Sequence, residues 1–391
     1  MFAFRLRTVA SVCALLAAVA LLAALAGCGG SDSASGSDAP TSSPAPVPAP
    51  PQVAVQDDRI AVIDPARLAE RAQLIADTGA SATRIDLFWR DVAPTEPADP
   101  TDPADPAYAF ARYDAVLADL AERGIPAMLS VYNGPEWATG GTFTEGINAV
   151  INAQAPDPAA YGAFMQALAA RYSGEFTADG VTLPAVELFE VWNEGNLSGF
   201  LSPQTANGER VVLDTYAEMT RAAYSGIKDA NPDATVIAGV TGPRGRSSDT
   251  ATGVEDWIAG LAERDAPLDA YSQHVYPVAA PTVPTEAFPA WSTLDRLEAA
   301  VDGIRPNLPI YITEAGYTTT ETPYRDAAAT ATLEEQARYV EEIYTLPAVQ
   351  TGRYPMIVWF NLQDNPGWPA GLLDIDGNPK PSYEAFVALN G

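Results

Sequence analysis

From Val53 onward the chain alternates between two hydrophobic patterns. Short runs in which nearly every residue is apolar are the mark of buried strands, and the stretches between them return an apolar residue every three or four positions, as amphipathic helices do. Strands are expected over 53–62, 83–89, 127–132, 186–193, 235–240, 270–276, 309–314 and 356–361. Asp64-Pro65 supplies an N-cap and a favoured first helical residue for a helix ending near Gly79. Tyr113, Val116, Leu117 and Leu120 form an i, i+3, i+4, i+7 stripe, further helices are expected near 161–172 and 381–389, and Leu333, Ala337, Val340 and Tyr344 share one face of another. No two runs are joined by an evident hairpin turn. Strict βα alternation of this kind predicts a parallel sheet, and eight repeats predict a single-domain (β/α)8 TIM barrel. A doubly wound open sheet is the structural alternative, but no glycine-rich phosphate turn follows the first strand.

Loops after strand C-termini are long, notably 91–107 and 134–158, whereas those after helices are shorter. That asymmetry fits a barrel with one functional face, because barrel chemistry collects where strands end. Two glutamates stand at such ends: Glu194, closing the fourth strand in Phe-Glu-Val-Trp-Asn-Glu-Gly-Asn, and Glu314, closing the seventh in Ile-Tyr-Ile-Thr-Glu-Ala-Gly-Tyr. In a closed eight-stranded barrel these ends face each other. Cleavage of a glycoside through a covalent intermediate requires two carboxyls about 5 to 5.5 Å apart, one attacking the anomeric carbon and the other protonating the leaving oxygen. Arg84, on the second strand, would keep Glu314 ionised if its side chain reaches the mouth. Glu190, four residues before Glu194, sits too deep to join the pair and reads as a hydrogen-bonded structural residue.

Composition removes the competing chemistries. The single histidine, His274, excludes multi-histidine metal sites, and both cysteines, Cys13 and Cys28, precede the folded domain, leaving it no thiol nucleophile. No metal and no cofactor are expected. A net charge of −28 over 391 residues repels phosphate backbones, so nucleic acid is not an expected partner. All basic residues but Lys228 and Lys380 are arginine, which fits a salt-adapted surface or an Ala/Arg-rich genome.

With these motifs in view, the chain from Val53 to Gly391 resembles a clan A glycoside hydrolase, of the kind found in families 5 and 39. In those families an Asn-Glu pair ends strand four, here Asn193-Glu194, and a glutamate in a Thr-Glu-x-Gly context ends strand seven, here Thr313-Glu314-Ala315-Gly316. The resemblance implies a retaining β-glycosidase with Glu194 as acid/base and Glu314 as nucleophile. It further implies that Asn193 bonds the sugar 2-hydroxyl, that His274 and Tyr276 on strand six and Arg84 on strand two belong to the site with Tyr276 touching the nucleophile, and that Trp359 on strand eight forms the floor under the sugar. Two positions depart from the pattern: Gly195 where many relatives have proline, and Tyr132-Asn133 where family 5 members often carry a histidine. Trp137, Trp291 and Trp368 are candidates for stacking on further sugars, whose faces present C–H groups to aromatic rings. The long loops suggest a cleft for several sugars and endo action on a β-linked polysaccharide or oligosaccharide. Transglycosylation, modification of an exopolysaccharide, or glycan binding without cleavage are the alternatives for the same residues.

The N-terminus carries a separate signal. Arg5 and Arg7 precede an uncharged apolar run from Thr8 to Ala26, as in an export signal, and Leu25-Ala26-Gly27-Cys28 resembles a bacterial lipoprotein site at which Cys28 is lipidated. The expected organisation is a signal peptide over 1–27, a Gly/Ser/Pro-rich tether over 28–52 and a catalytic domain over 53–391. The protein is then an extracytoplasmic lipoprotein of the cell envelope, held to a membrane only by its lipid, acting on carbohydrate, and expected to be a monomer.

Overall fold

The computed structural model describes residues 48–146, 150–323 and 325–390. The export signal, Cys28 and the tether up to residue 47 lie outside the described residues. Eight strands, β1 (Gln52–Gln56), β2 (Thr83–Phe88), β3 (Ala127–Tyr132), β4 (Leu188–Val191), β5 (Thr235–Thr241), β6 (Ala270–Val275), β7 (Ile310–Ala315) and β8 (Met356–Trp359), close into a barrel in sequence order. Every neighbouring pair is parallel, including β8 with β1. Helices α1 (Leu68–Asp77), α2 (Ala111–Glu122), α3 (Pro158–Arg171), α4 (Val212–Ala230), α5 (Val254–Glu263), α6 (Leu294–Val301), α7 (Leu333–Thr345) and α8 (Pro381–Ala388) follow the strands one for one. This is the (β/α)8 TIM barrel that the alternation predicts.

Local chemistry explains where several elements begin. Asp157 accepts hydrogen bonds from the N–H groups of Ala159 and Ala160 with Pro158 at the first helical position of α3, and Thr332 and Glu335 form a reciprocal capping box at the start of α7. The 53–62 run is a strand only to Gln56. Asp57 is held sideways by Arg71, whose Nε and Nη2 donate to its carboxylate at 2.5 and 2.6 Å, and residues after it turn along the rim. At its other end β1 starts at Gln52, one residue inside the expected tether, because Gln52 N–H donates to the Pro355 carbonyl at 2.9 Å. A short hairpin, Thr177–Ala178 with Val181–Thr182, was not expected, although its turn is Asp179-Gly180 with both φ positive, the dipeptide that a primed two-residue turn favours. On α7 the buried face is Gln336, Tyr339, Val340, Ile343 and Tyr344, while Leu333, next to the cap, is 41% exposed rather than in the stripe.

Strand parity sorts the side chains. Val53, Val55, Ile85, Leu87, Leu129, Val131, Phe189, Ile310, Ile312, Ile357 and Trp359 face outward into the large apolar cluster shared with the helices. The opposite parity fills the lumen: Ala54, Met128, Ile237, Ala270, Met356 and Val358 make a separate apolar layer toward the N-terminal end. Above it β1, β2, β3, β4 and β6 contribute Gln56, Arg84, Ser130, Glu190, Ser272 and His274, all buried and all polar. The lumen thus passes from hydrocarbon to charge along its own axis.

Candidate active site

Glu194 and Glu314 reach the mouth by different local devices. β4 stops at Val191, and Trp192 and Glu194 both adopt positive φ, 67° and 41°. The turn sends the Trp192 ring outward, where its Nε1–H donates to the Phe200 carbonyl, and leaves Asn193 and Glu194 at the lumen. Glu314 shares sequence parity with the outward-facing Ile310 and Ile312 and would point away from the lumen in a regular strand. It does not, because β7 carries one extra residue: Gln273 pairs with Ile312 and His274 with Glu314, so Thr313 is bulged out of register. The same slip recurs against β8, where Ile357 pairs with Ile312 and Trp359 with Ala315. A bulge beside a site re-aims a side chain, and here it turns Glu314 inward.

Arg84 is the hub beneath the mouth. Its Nη1 donates to Glu314 Oε1 at 2.8 Å and to Gln56 Oε1 at 2.5 Å, its Nη2 to Ser130 Oγ at 2.8 Å and Asn193 Oδ1 at 2.9 Å, and its Nε to Glu190 Oε2 at 2.6 Å. Glu190, fully buried, is therefore the counter-ion of Arg84 below the site. Tyr276 Oη donates to Glu314 Oε2 at 2.7 Å, and His274 Nδ1 lies 2.9 Å from Glu194 Oε1 and 3.4 Å from Glu314 Oε2. One oxygen of each glutamate and a nitrogen of His274 all lie within 4.8 Å of one another. Such a trio is also a spacing that a divalent cation could bridge, although His274 already sits at hydrogen-bonding distance from Glu194.

Burial raises the pKa of Glu314, and His274 and Arg84 oppose that rise without cancelling it; Glu194 and Asp86 reinforce it. For His274 burial resists protonation, but Glu314 and Glu194 outweigh it and raise its pKa. The Tyr276 hydroxyl is pushed well above its ordinary value by burial and by Glu314, so it remains a donor. Glu194 is backed by Gly242: a Cβ there would come within 2.8 Å of the Glu194 Cδ, and Asn196 ties the two loops together by accepting from Gly242 N–H and donating to its carbonyl.

A cleft of about 420 Å³ opens over the pair, lined by Asp57, Asp58, Val62, Asp86, Phe88, Tyr132, Glu194, Phe200, Tyr276, Glu314, Phe360 and Trp368, among others. Trp368 packs edge-on to Tyr276, ring centroids 5.0 Å apart, with the Arg325 guanidinium 5.2 Å from its own ring. Three expected aromatic contacts are corrected. Trp359 has outward parity, is fully buried and donates from Nε1 to the Ala370 carbonyl; the next residue, Phe360, lines the cleft in its place. Trp137 packs edge-on to Trp89 at 5.5 Å and donates to the Ala93 carbonyl, serving the wall between two loops rather than the cleft. Trp291, 3% exposed, is core at the start of α6. Asn193 is in place at the mouth, but its Oδ1 is already taken by Arg84, leaving the amide nitrogen for a ligand. Asp58, Asp86 and Phe360 were missed; Asp86 and Phe360 were findable by parity, as they follow Arg84 and Val358 by two residues.

A closed barrel with two carboxylates at one mouth, near enough to act on the two atoms of one bond and flanked by aromatic rings, defines the paired-carboxylate class of barrels. Residues 85–391 match the model of glycosyl hydrolases family 39, and the chain belongs to that family. It is 25% identical over 312 residues to a β-xylosidase of Caldicellulosiruptor saccharolyticus, an alignment covering 73% of this chain and 57% of that protein. A β-xylosidase of Geobacillus stearothermophilus is 26% identical over 226 residues, 52% of this chain and 41% of that one. Among solved structures a family 39 β-xylosidase from Caulobacter crescentus superposes with a TM-score of 0.62 at 20% identity, covering 88% of this chain and 72% of that one, a likeness of fold. The chain thus spans about half the length of the two relatives matched by sequence.

Proposed function

We propose that this protein is a retaining β-glycosidase working by double displacement. The observation that carries this reading is the spacing of Glu194 and Glu314, oxygens within 4.8 Å, which suits attack on an anomeric carbon and protonation of the oxygen that leaves it, and leaves no room for the water that an inverting pair would hold between them. Glu314 is the nucleophile: Arg84 and Tyr276 donate to its two oxygens, which favours the carboxylate and fixes its orientation. Glu194, joined to His274, protonates the leaving oxygen and then takes a proton from water. His274, Tyr276 and Arg84 are positioning residues in the ground state, and Asn193 offers its free amide donor to the sugar. Phe360 and Trp368 supply apolar faces for the pyranose.

The names of the sequence relatives make β-xylosides the first substrates to try. The test is incubation with a 2-deoxy-2-fluoro-β-xylosyl fluoride, followed by peptide mass mapping. A covalent adduct on the peptide carrying Glu314 is expected, and an adduct elsewhere, with full activity retained in Glu314→Gln, removes Glu314 from the mechanism. Product chromatography distinguishes hydrolysis from transfer, since oligosaccharides longer than the substrate appear only when a sugar replaces water. We also propose that the enzyme is exported and tethered through a lipidated Cys28, for which the mass of the mature N-terminal peptide is the check; an unmodified Cys28 refutes it.

A further inference from the structure

The cleft has a second pair of carboxylates that the double displacement does not use. Asp86 stands on β2 two residues beyond Arg84 and so faces the lumen, and Asp58 follows the end of β1 on the adjacent rim; both line the cleft with Glu194 and Glu314. Gln56 sets the two side by side, its Nε2 lying 3.1 Å from Asp58 Oδ1 and 3.3 Å from Asp86 Oδ2. Asp58 Oδ2 accepts from Asn361 and Asn365 at 3.1 and 2.9 Å, and Asp86 Oδ2 accepts from Tyr132 Oη at 3.0 Å. On each carboxylate the Oδ1 is the under-used atom: Asp58 Oδ1 receives only the Gln56 bond, and Asp86 Oδ1 only a 3.4 Å contact from Arg84 Nη1.

These atoms run in a row across the mouth. Arg84 Nη1 touches both Glu314 and Asp86, and Gln56 Nε2 touches both Asp86 and Asp58, so a chain of contacts links the nucleophile to the rim above β1 and β2. Phe360 and Trp368 line the same cleft, Trp368 with a buried indole N–H that has no protein partner. Convergent acceptors beside aromatic rings in one concave site are what a sugar needs, with hydroxyls on its edge and C–H groups on its faces. No Lys or Arg is among the described residues lining the cleft, and Arg84 beneath it is already bonded to Glu190 and Glu314, so an anionic sugar placed there meets carboxylates and no lining cation.

We infer, on the reading that this cleft is a glycosidase site, that Asp58 and Asp86 are the specificity-determining residues of the subsite for the sugar attacked by Glu314, gripping adjacent free hydroxyls of a neutral glycone and rejecting uronic acids. Burial and the carboxylates of Asp86, Glu314 and Asp57 push Asp58 up to about 8, and Asp86 is raised as well. Near neutral pH the pair therefore keeps a proton and presents a donor beside an acceptor, the complement of two vicinal hydroxyls.

The test compares wild type, Asp58→Ala and Asp86→Ala on 4-nitrophenyl β-xyloside, its 3-deoxy and 4-deoxy analogues, and 4-nitrophenyl β-glucuronide. A site built to bond a hydroxyl discriminates strongly against its absence, so wild type should prefer the parent over at least one deoxy analogue by about 100-fold in kcat/KM. Each variant should lose about tenfold or more on the parent, chiefly through KM, and much less on that analogue, so that the preference collapses. Equal losses on parent and analogue indicate a structural role and overturn the inference, as does glucuronide turnover matching the xyloside. A binding arm separates this from the catalytic reading: in a Glu314→Gln background, calorimetry with neutral β-linked disaccharides of xylose, glucose, galactose and mannose should show one ligand whose affinity falls about tenfold on adding Asp58→Ala. Unchanged affinity, or binding by none of them, overturns the inference. Binding with the expected loss but no turnover by wild type on any glycoside sinks the hydrolase reading and leaves the recognition wall standing.

Discussion

At the N-terminal end of the barrel the lumen is closed by Ala54, Met128, Ile237, Ala270, Met356 and Val358, and the hollow outside it has Glu187 as its one acidic lining residue. At the other end β2, β4 and β6 present Arg84, Glu190 and His274, and the cleft above is lined by five carboxylates, Asp57, Asp58, Asp86, Glu194 and Glu314. The floor's side chains come from regular strand positions, and its groups need only shape. The mouth depends on irregularities: a bulge at Thr313, left-handed residues at Trp192 and Glu194, and a glycine at 242 where no side chain fits. Charges at the mouth are kept by pairing, Arg84 answering Glu190 and Glu314 at once. Reactive groups are thus gathered at one end of the lumen, and the cost of burying charge there is offset by the packing of strands against helices around the barrel.

That division can be broken from either side. The largest effect expected is for Glu314→Gln, which should reduce kcat by roughly four orders of magnitude or more while the melting temperature holds, measured by aryl-glycoside turnover and calorimetry. At the floor, Met128→Ala should do the opposite, lowering unfolding free energy by about 2–5 kcal/mol in denaturant titration with KM unchanged; a large change in KM would mean that the two ends are coupled. Gly242→Ala tests the placement of Glu194 alone. It should lower kcat on the order of 100-fold with little loss of stability, and unaltered kinetics would show that the loop yields. Phe360→Ala should raise KM by roughly tenfold, whereas Trp359→Phe should alter stability and leave KM alone; the reverse result would restore Trp359 as the floor under the sugar.

The smallest effect is a pH slope. Asp58 ionises near 3.8 in an exposed chain and about 8 in the fold, because burial first, then Asp86 and Glu314, oppose its charge. Between those values the folded protein holds a proton that the unfolded chain has released, so this group makes stability fall as pH rises through the window. Asp58→Asn should flatten that part of the melting-temperature profile between pH 4 and 8, and a steeper decline in the variant would contradict the assignment.

Much of this was legible in the residues. Alternation of strand and helix patterns determined the barrel, and the Asn193-Glu194 and Thr313-Glu314 contexts marked the two carboxylates, because periodicity and short motifs are local properties that a linear reading carries intact. The Asp179-Gly180 hairpin and the short reach of β1 were local too, but hidden: the first by a two-residue strand, the second by Asp57, whose partner Arg71 lies on the next helix.

Other features belong to the closed barrel alone. Whether Trp359 or Phe360 meets the cleft, whether Glu314 points in or out, and whether Asp58 and Asp86 stand side by side all depend on register between strands far apart in sequence. A slip of one residue exchanges the two faces of a strand, and that slip is set by the neighbouring strand and by the packing it must satisfy. The sequence by itself determined which chemistries were at hand and at which strand ends. The tertiary structure decided which side chains share the space above the lumen, since distance and burial are properties of pairs of residues rather than of any one of them.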